Sequence, residues 1–214
     1  MDFSRLRRDM VEEQISNRGI TNKRILSAFL EVPREEFVPS NMRRYAYKDG
    51  PVSIGFGQTI SQPYMSALMI ECLDPQPTDK ILEIGTGLGY QSAVLSRLSR
   101  IIYTVERIPE LAKQAKVILD KLGYDNVIVK VGDGTLGWSE FAPYDKIIVA
   151  AAAPNVPIRL LQQLKEGGRM VIPVGHRYSQ ILKIISKLSN GEVVEKEETP
   201  CIFVPLIGED GWQE

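Results

Sequence analysis

The chain has very little of what metal and nucleophilic chemistry usually require. Its 214 residues include a single histidine and two cysteines, with no Cys/His cluster, so there is no ligand set for a zinc site. Cys72 and Cys201 stand far apart among apolar neighbours and are expected to be buried free thiols in a reducing cytoplasm, with a disulfide the lesser reading. No apolar run approaches the ~18 residues of a spanning helix. The opening residues, Met1-Asp2-Phe3-Ser4-Arg5-Leu6-Arg7-Arg8, lack the apolar stretch of a secretory signal. Charge of one sign is missing as well: 26 Lys and Arg against 27 Asp and Glu leave a net charge of −1, which gives no general attraction to nucleic acid or an anionic membrane. Internal repeats and low-complexity linkers are also absent. What is left is a chain 43% hydrophobic and 25% charged, ordinary for a globular protein and long enough for one domain with a sizeable core.

Patterning divides that domain, residues 1–214, into three parts. In the first, 1–77, helical spacing runs from Ser4 to Asn17. A second helix follows from Asn22 to Glu31, with Thr21 as its cap and Ile25, Leu26, Phe29 and Leu30 as its apolar face; Pro33 ends it. Phe37 to Gly57 has no clean period and reads as short strands and loops. Pro63 then suits the first turn of a helix reaching Cys72. In the second part, 78–175, strands and helices alternate. Ile81–Ile84, Ile101–Val105, Val127–Val131, Lys146–Ala150 and Met170–Pro173 are apolar strands. Between them lie helices over Gln91–Leu98, Pro109–Leu122 and Ile158–Leu164, the last expected to close at Gly167-Gly168. Such alternation predicts a mostly parallel sheet covered on both faces. The third part, 176–214, alternates through Ile181–Leu188 and Val193–Glu198 around an Asn190-Gly191 turn, which predicts an antiparallel hairpin.

In an open α/β sheet, ligands sit beyond the carboxyl ends of the strands, so each strand end is a candidate site. The first ends in Glu83 and opens into Gly85-Thr86-Gly87-Leu88-Gly89, a turn whose glycines let a backbone pass close to a ligand. The second ends in Glu106-Arg107, about 20 residues beyond the first glycine, where a carboxylate can accept ribose hydroxyls. The third ends in Gly132-Asp133-Gly134, placed to present a carboxylate to an adenine amino group. The small residues Ala150–Ala153 end the fourth and leave room for a second substrate. A dinucleotide turn spaces its glycines G-x-G-x-x-G; here the third comes one place early, and an acid precedes the turn. A pyrophosphate beside Glu83 is disfavoured, whereas the cationic amine of S-adenosylmethionine suits it.

These residues, read with the stretch Gly57-Gln58-Thr59-Ile60-Ser61-Gln62-Pro63-Tyr64-Met65, resemble the protein-L-isoaspartate (D-aspartate) O-methyltransferases. Further matching stretches are Val105–Leu111, Tyr144–Val149 with its alanines and Pro154, Leu160–Gly175, and Phe203–Leu206, so the likeness spans nearly the whole chain. The glycine turn recurs in many class I methyltransferases, whereas the Gly57–Met65 stretch is close to diagnostic of this family. The resemblance implies a Rossmann-like class I S-adenosylmethionine-dependent methyltransferase fold with N-terminal helical additions and a C-terminal antiparallel hairpin. It implies methyl transfer from S-adenosylmethionine to the free carboxylate of L-isoaspartyl residues of damaged proteins, with D-aspartyl residues as a further substrate class, S-adenosylhomocysteine as product and no metal. Ser61 corresponds to the family's active-site serine, which orients the substrate carboxylate. Cofactor contacts are expected from Gln58, Thr59, Ile60, Ser61, Tyr64, Glu83, Gly85, Thr86, Gly87, Glu106, Arg107, Asp133 and Gly134, with Glu83 and Gly85 at the methionine end, Glu106 at the ribose and Asp133-Gly134 at the adenine. Thr59, Ser61 and Val204 are expected on the peptide side, and Gln58 through Ser61 are expected to close over the cofactor as a lid. Tyr64 stands where relatives often carry histidine, so no ring-nitrogen role carries over. The expected partners are isoaspartyl peptides and proteins, not nucleic acid or membrane, for a monomeric cytoplasmic enzyme. A small-molecule or RNA methyltransferase on the same fold is the alternative, and a non-catalytic cofactor-binding module is a third reading.

Overall fold

A computed structural model describes residues 1–213. The chain begins with α1 (Phe3–Asp9), which runs on as a π-helical stretch over Met10–Ile15 and a 3₁₀ turn over Ser16–Arg18 before Gly19 stops it at φ +103°. α2 (Lys23–Glu31) follows, capped by the Asn22 side chain, which accepts from the Arg24 N–H at 3.0 Å, and not by Thr21. The helix starts one residue later than expected, so Asn22 is the residue immediately before it and its side-chain oxygen reaches the second helical N–H. Ile25 and Phe29 of the expected apolar face are buried, and Leu30 is exposed. The stretch without a period holds 3₁₀ turns at Arg34–Phe37 and Ser40–Tyr45. After them, β1 (Val52–Gly55) pairs antiparallel with β2 (Gln58–Ile60), and α3 (Pro63–Leu73) leads into the sheet.

The core alternates as the patterning predicts: β3 (Lys80–Ile84), α4 (Tyr90–Ser96), β4 (Ile101–Glu106), α5 (Pro109–Lys121), β5 (Val127–Val131), β6 (Tyr144–Val149), α6 (Ile158–Gln163) and β7 (Leu164–His176). β8 (Ser179–Lys187) and β9 (Val193–Cys201) complete a seven-stranded sheet in the order β5-β4-β3-β6-β7-β8-β9. β3 to β7 pair in parallel, and β8 and β9 antiparallel. The order reverses at β3, which has β4 on one side and β6 on the other, so a crevice opens beyond its carboxyl end.

Gly167 and Gly168 do not close α6; they lie inside β7, which starts immediately after the helix. A Cβ at Gly168 would come within 2.7 Å of the Lys165 carbonyl and 3.0 Å of the Asp145 carbonyl. The β6–β7 register shifts between Tyr144 and Lys146. The glycines therefore mark a bulge where two backbones approach closely, a use that resembles a helix stop in sequence.

Residues alternate across β3. Ile81 joins the core beneath α3, α4 and α5, and Leu82 and Ile84 join the core on the opposite face with Tyr144, Leu160 and Met170. Period-two alternation puts Glu83 on the same face as Ile81, turned toward α4. Among the described residues, no helix is long and apolar enough to cross a membrane. Cys201 is buried, Cys72 partly so, and the two form no disulfide.

Candidate functional site

A cleft enclosing about 850 Å³, open solvent included, lies over the carboxyl ends of β3, β4 and β6. Its floor is the turn after β3, where Gly85, Gly87 and Gly89 take φ values of +93°, +56° and +95°. Gly85 still belongs to the sheet, its N–H donating to the Val105 carbonyl at 2.9 Å. Its positive φ then bends the chain out of the strand, a step that side chains resist.

Glu106 ends β4 on the cleft wall, 6% exposed, and among the described residues its carboxylate is held by two backbone N–H groups. Oε2 accepts from the Gly87 N–H at 2.8 Å and Oε1 from the Ile108 N–H at 3.0 Å. Each oxygen keeps a second acceptor site, which suits a pair of vicinal hydroxyls. Replacing Glu106 by Ala is expected to weaken S-adenosylmethionine binding by roughly 1–3 kcal/mol, the usual cost of a lost charged hydrogen-bond partner. Calorimetric titration checks it, and wild-type affinity would refute the contact.

Gln58, Thr59, Ile60 and Ser61 line the facing wall. The β1–β2 hairpin they belong to lies on the glycine turn, since a Cβ at Gly87 would come 3.1 Å from the Ile54 Cδ1. Thr86, Arg107 and Gly134 line the cleft too, as do Ala150 and Ala151. Val204 stands there with Pro205, Leu206 and Ile207, because the last segment bonds to the end of β6: the Ala152 N–H donates to the Val204 carbonyl and the Leu206 N–H to the Ala152 carbonyl, each at 2.8 Å.

Glu83, Asp133 and Tyr64, all expected at the cofactor, are not on the cleft wall. Glu83 is wholly buried beneath the turn and accepts from the Ser92 hydroxyl and, at 2.8 Å, from Thr104 Oγ1. Thr104 shares a 2.6 Å hydrogen bond with Thr86 Oγ1, so a hydroxyl chain joins the carboxylate to the cleft. Burial raises the Glu83 pKa from 4.5 to about 7, while Ser92, Thr104 and Gln91 pull it down and Glu106 adds to the rise. Its Oε1 and the nearby Gln91 Nε2 complete no hydrogen bond.

Asp133 spends its carboxylate on local structure. Oδ1 accepts from the Thr135 N–H at 2.8 Å and hydroxyl at 2.7 Å, and Oδ2 from the Glu209 N–H at 2.8 Å. It pins the C-terminal segment beside the cleft and leaves the wall to Gly134. Tyr64 sits under Arg18, whose guanidinium carbon is 5.5 Å from the ring centroid. Two helical residues are about 200° apart, so Ser66 meets the cleft and Tyr64 cannot.

The sequence reading also missed Phe37, Ile54, Tyr90 and Gln91, which line the cleft. Tyr90 and Gln91 had a signal, following directly on the last glycine. Phe37 and Ile54 had none, because long-range folding brings them in. Among the described residues, no group of His, Cys, Asp and Glu could hold a metal ion.

Residues 5–211 match the family model of protein-L-isoaspartate (D-aspartate) O-methyltransferases. The chain is 52% identical to the protein-L-isoaspartate O-methyltransferase of Pelotomaculum thermopropionicum, over 97% of this chain and 91% of that protein. It is also 52% identical to the enzyme of the same name from Petrotoga mobilis, over 99% of this chain and all of the other. Among solved structures, a protein-L-isoaspartate O-methyltransferase superposes with a TM-score of 0.85 at 32% identity, over 96% of this chain and 67% of that one. A Plasmodium falciparum structure described as a beta-aspartate methyltransferase, in complex with S-adenosyl-L-homocysteine, gives 0.81 at 25% identity, over 94% and 98%.

Proposed function

The chain belongs to the protein-L-isoaspartate (D-aspartate) O-methyltransferase family, and on that premise we propose that Ser61 orients the isoaspartyl carboxylate for methyl transfer at the cleft between Gln58–Ser61 and the glycine turn. The enzyme is an S-adenosylmethionine-dependent methyltransferase that initiates repair of damaged proteins. Bound S-adenosylmethionine supplies an electrophilic methyl group, whose bond to sulfur breaks as its bond to the carboxylate oxygen forms.

The cleft fits that molecule on its own chemistry. Glu106 offers two backbone-braced acceptors to a ribose diol, and Gly134 lines the same cleft, its own backbone packed against Ile84. The glycine turn beside Gln91 leaves room and polar atoms for an amino-acid end. The observation carrying the assignment is that Ser61 and the glycine turn line one cleft.

No general base is needed. A carboxylate with a pKa of ~4 is already ionised at neutral pH, which accords with a chain holding one histidine. A hydrogen bond to that carboxylate makes it a weaker nucleophile, so the serine's contribution is geometric. Holding the oxygen in line with the methyl can supply on the order of 7–11 kcal/mol in favourable cases. The apolar wall from Val204 to Ile207 helps to exclude water, and Val204 with Thr59 would flank the peptide.

Ser61→Ala is expected to lower kcat/KM on an isoaspartyl peptide by about 10–50-fold and leave S-adenosylmethionine affinity within about threefold. Labelled methyl transfer and calorimetry measure the two. An unchanged kcat/KM would sink the assignment. The same label offered to the aspartyl twin of that peptide and to RNA tests the substrate, with base-labile label expected on the isoaspartyl peptide alone.

A further inference from the structure

Arg34 is the bulkiest of the wholly buried side chains, and neither the motifs nor the cleft chemistry gives it a task. Its Nε donates to the Ala46 carbonyl at 2.6 Å and its Nη2 to the Ser61 carbonyl at 2.7 Å. The guanidinium carbon lies 4.7 Å from the Tyr90 ring centroid. None of these partners is a carboxylate, and the adjacent Glu35 is taken by Arg7 and Tyr47. The guanidinium and the neutral Tyr90 hydroxyl lie near each other in the same buried space, although neither Nη1 nor the hydroxyl meets strict hydrogen-bond geometry. A buried cation without a paired anion is costly, and an apolar side chain of similar volume avoids that cost.

The Ser61 carbonyl supplies the reason. It lies between β2 and α3, where Gln62 gives no side-chain cap and Pro63 has no N–H. Phe37, on the same 3₁₀ turn as Arg34, packs edge-on to Tyr90 at 5.8 Å and lines the cleft. One turn therefore touches the lid and the start of α4 together.

We propose that Arg34 is a positioning residue for methyl transfer: it clamps the Ser61 end of the lid to the Tyr90 end of the glycine turn and so sets where the serine hydroxyl stands. The inference rests on the reading of Ser61 given above. A planar fork reaches two carbonyls while stacking on a ring; an ammonium is a single point of charge and does not.

Arg34→Lys keeps the charge and loses the fork. It is expected to lower kcat/KM on an isoaspartyl peptide by about tenfold, with S-adenosylmethionine affinity by calorimetry within about threefold of wild type. Amide hydrogen exchange over 58–62 is expected to speed up while β3 and β4 stay protected. In a Ser61→Ala background the Arg34→Lys penalty should shrink to less than about twofold, because the positioned group is gone. An equal penalty in both backgrounds, or unchanged exchange over 58–62, overturns the proposal. A Ser61→Ala enzyme with wild-type kcat/KM would retire the serine's role instead, and Arg34 would then stand or fall on the exchange result. If the lysine variant does not fold, Arg34→Gln, which keeps a neutral donor, is read by the same cycle. Failure of both to fold overturns the proposal and makes Arg34 a pillar of the fold.

Discussion

Gly85→Val is expected to lower S-adenosylmethionine affinity by about 100-fold, close to 2.7 kcal/mol, in a protein that still folds. Space is not the obstacle, since a Cβ at Gly85 would meet Ala150 at an ordinary 3.5 Å. The backbone is. Gly85 holds φ at +93° while its N–H stays bonded to Val105 in the sheet, so the residue cannot rotate without breaking strand pairing. A β-branched side chain held in such a conformation costs on the order of 1–3 kcal/mol, and the turn relaxes by moving. Gly87 moves with it, and Gly87 holds the Glu106 carboxylate in place. Strain at the first glycine thus reaches Glu106 at the end of the next strand, the carboxylate proposed to take the ribose. Gly123→Val is the control. Gly123 is also left-handed, at φ +73°, but lies at the end of α5 away from the cleft, with nothing within 4 Å of its added Cβ. That variant should lose stability and keep its affinity. A folded Gly85→Val protein with wild-type affinity would show that the turn does not seat the cofactor.

The second large effect is a pH dependence of stability written into Glu83. Its pKa rises from 4.5 to about 7, mainly through burial. The folded state therefore holds a proton that the unfolded state gives up sooner. The stabilisation is fully present below pH 4.5 and is lost as pH rises through 7. In all it amounts to roughly 3 kcal/mol, of which about 2 kcal/mol disappears between pH 5.5 and 8. Glu83→Gln removes that titration. Its amide oxygen can still accept from Ser92 and Thr104, and it carries no charge at any pH. Denaturant unfolding of the ligand-free proteins across that range checks the point. The wild type should lose stability toward pH 8 relative to the variant, and the variant should be the more stable of the two there. Parallel curves would mean that the carboxyl is not protonated beneath the turn.

Glu83 also shows how far a sequence reading reaches. Its place inside Leu82–Ile84 and before a glycine turn was legible, and so was its nearness to the cleft. Its direction was not, because a strand sends successive side chains to opposite faces and only the packed sheet says which face carries α4. Tyr64 and Ser66 tell the same story on a helix. The motif placed α3 beside the lid, and the helical phase turned Ser66 inward and Tyr64 beneath Arg18. Asp133 was found at its strand end, yet the C-terminal segment claims its carboxylate through Glu209, a contact across 76 residues that no local pattern encodes. Gly167 and Gly168 carried a true signal of a special backbone with the wrong use attached, a bulge in place of a helix stop.

What the sequence by itself determined is the order of strands and helices, the glycine turn after β3, the acid at the end of β4 and the lid sequence that marks the family. Each depends on periods and turn chemistry within a few neighbouring residues, which survive in a linear reading. Tertiary structure alone decided which side chains face the cleft, which carboxylates are already spent, and which distant residue, Arg34, holds Ser61 against the turn. Those outcomes depend on the direction of each Cα–Cβ bond and on contacts closed by long loops, and both exist only once the sheet and its helices are packed.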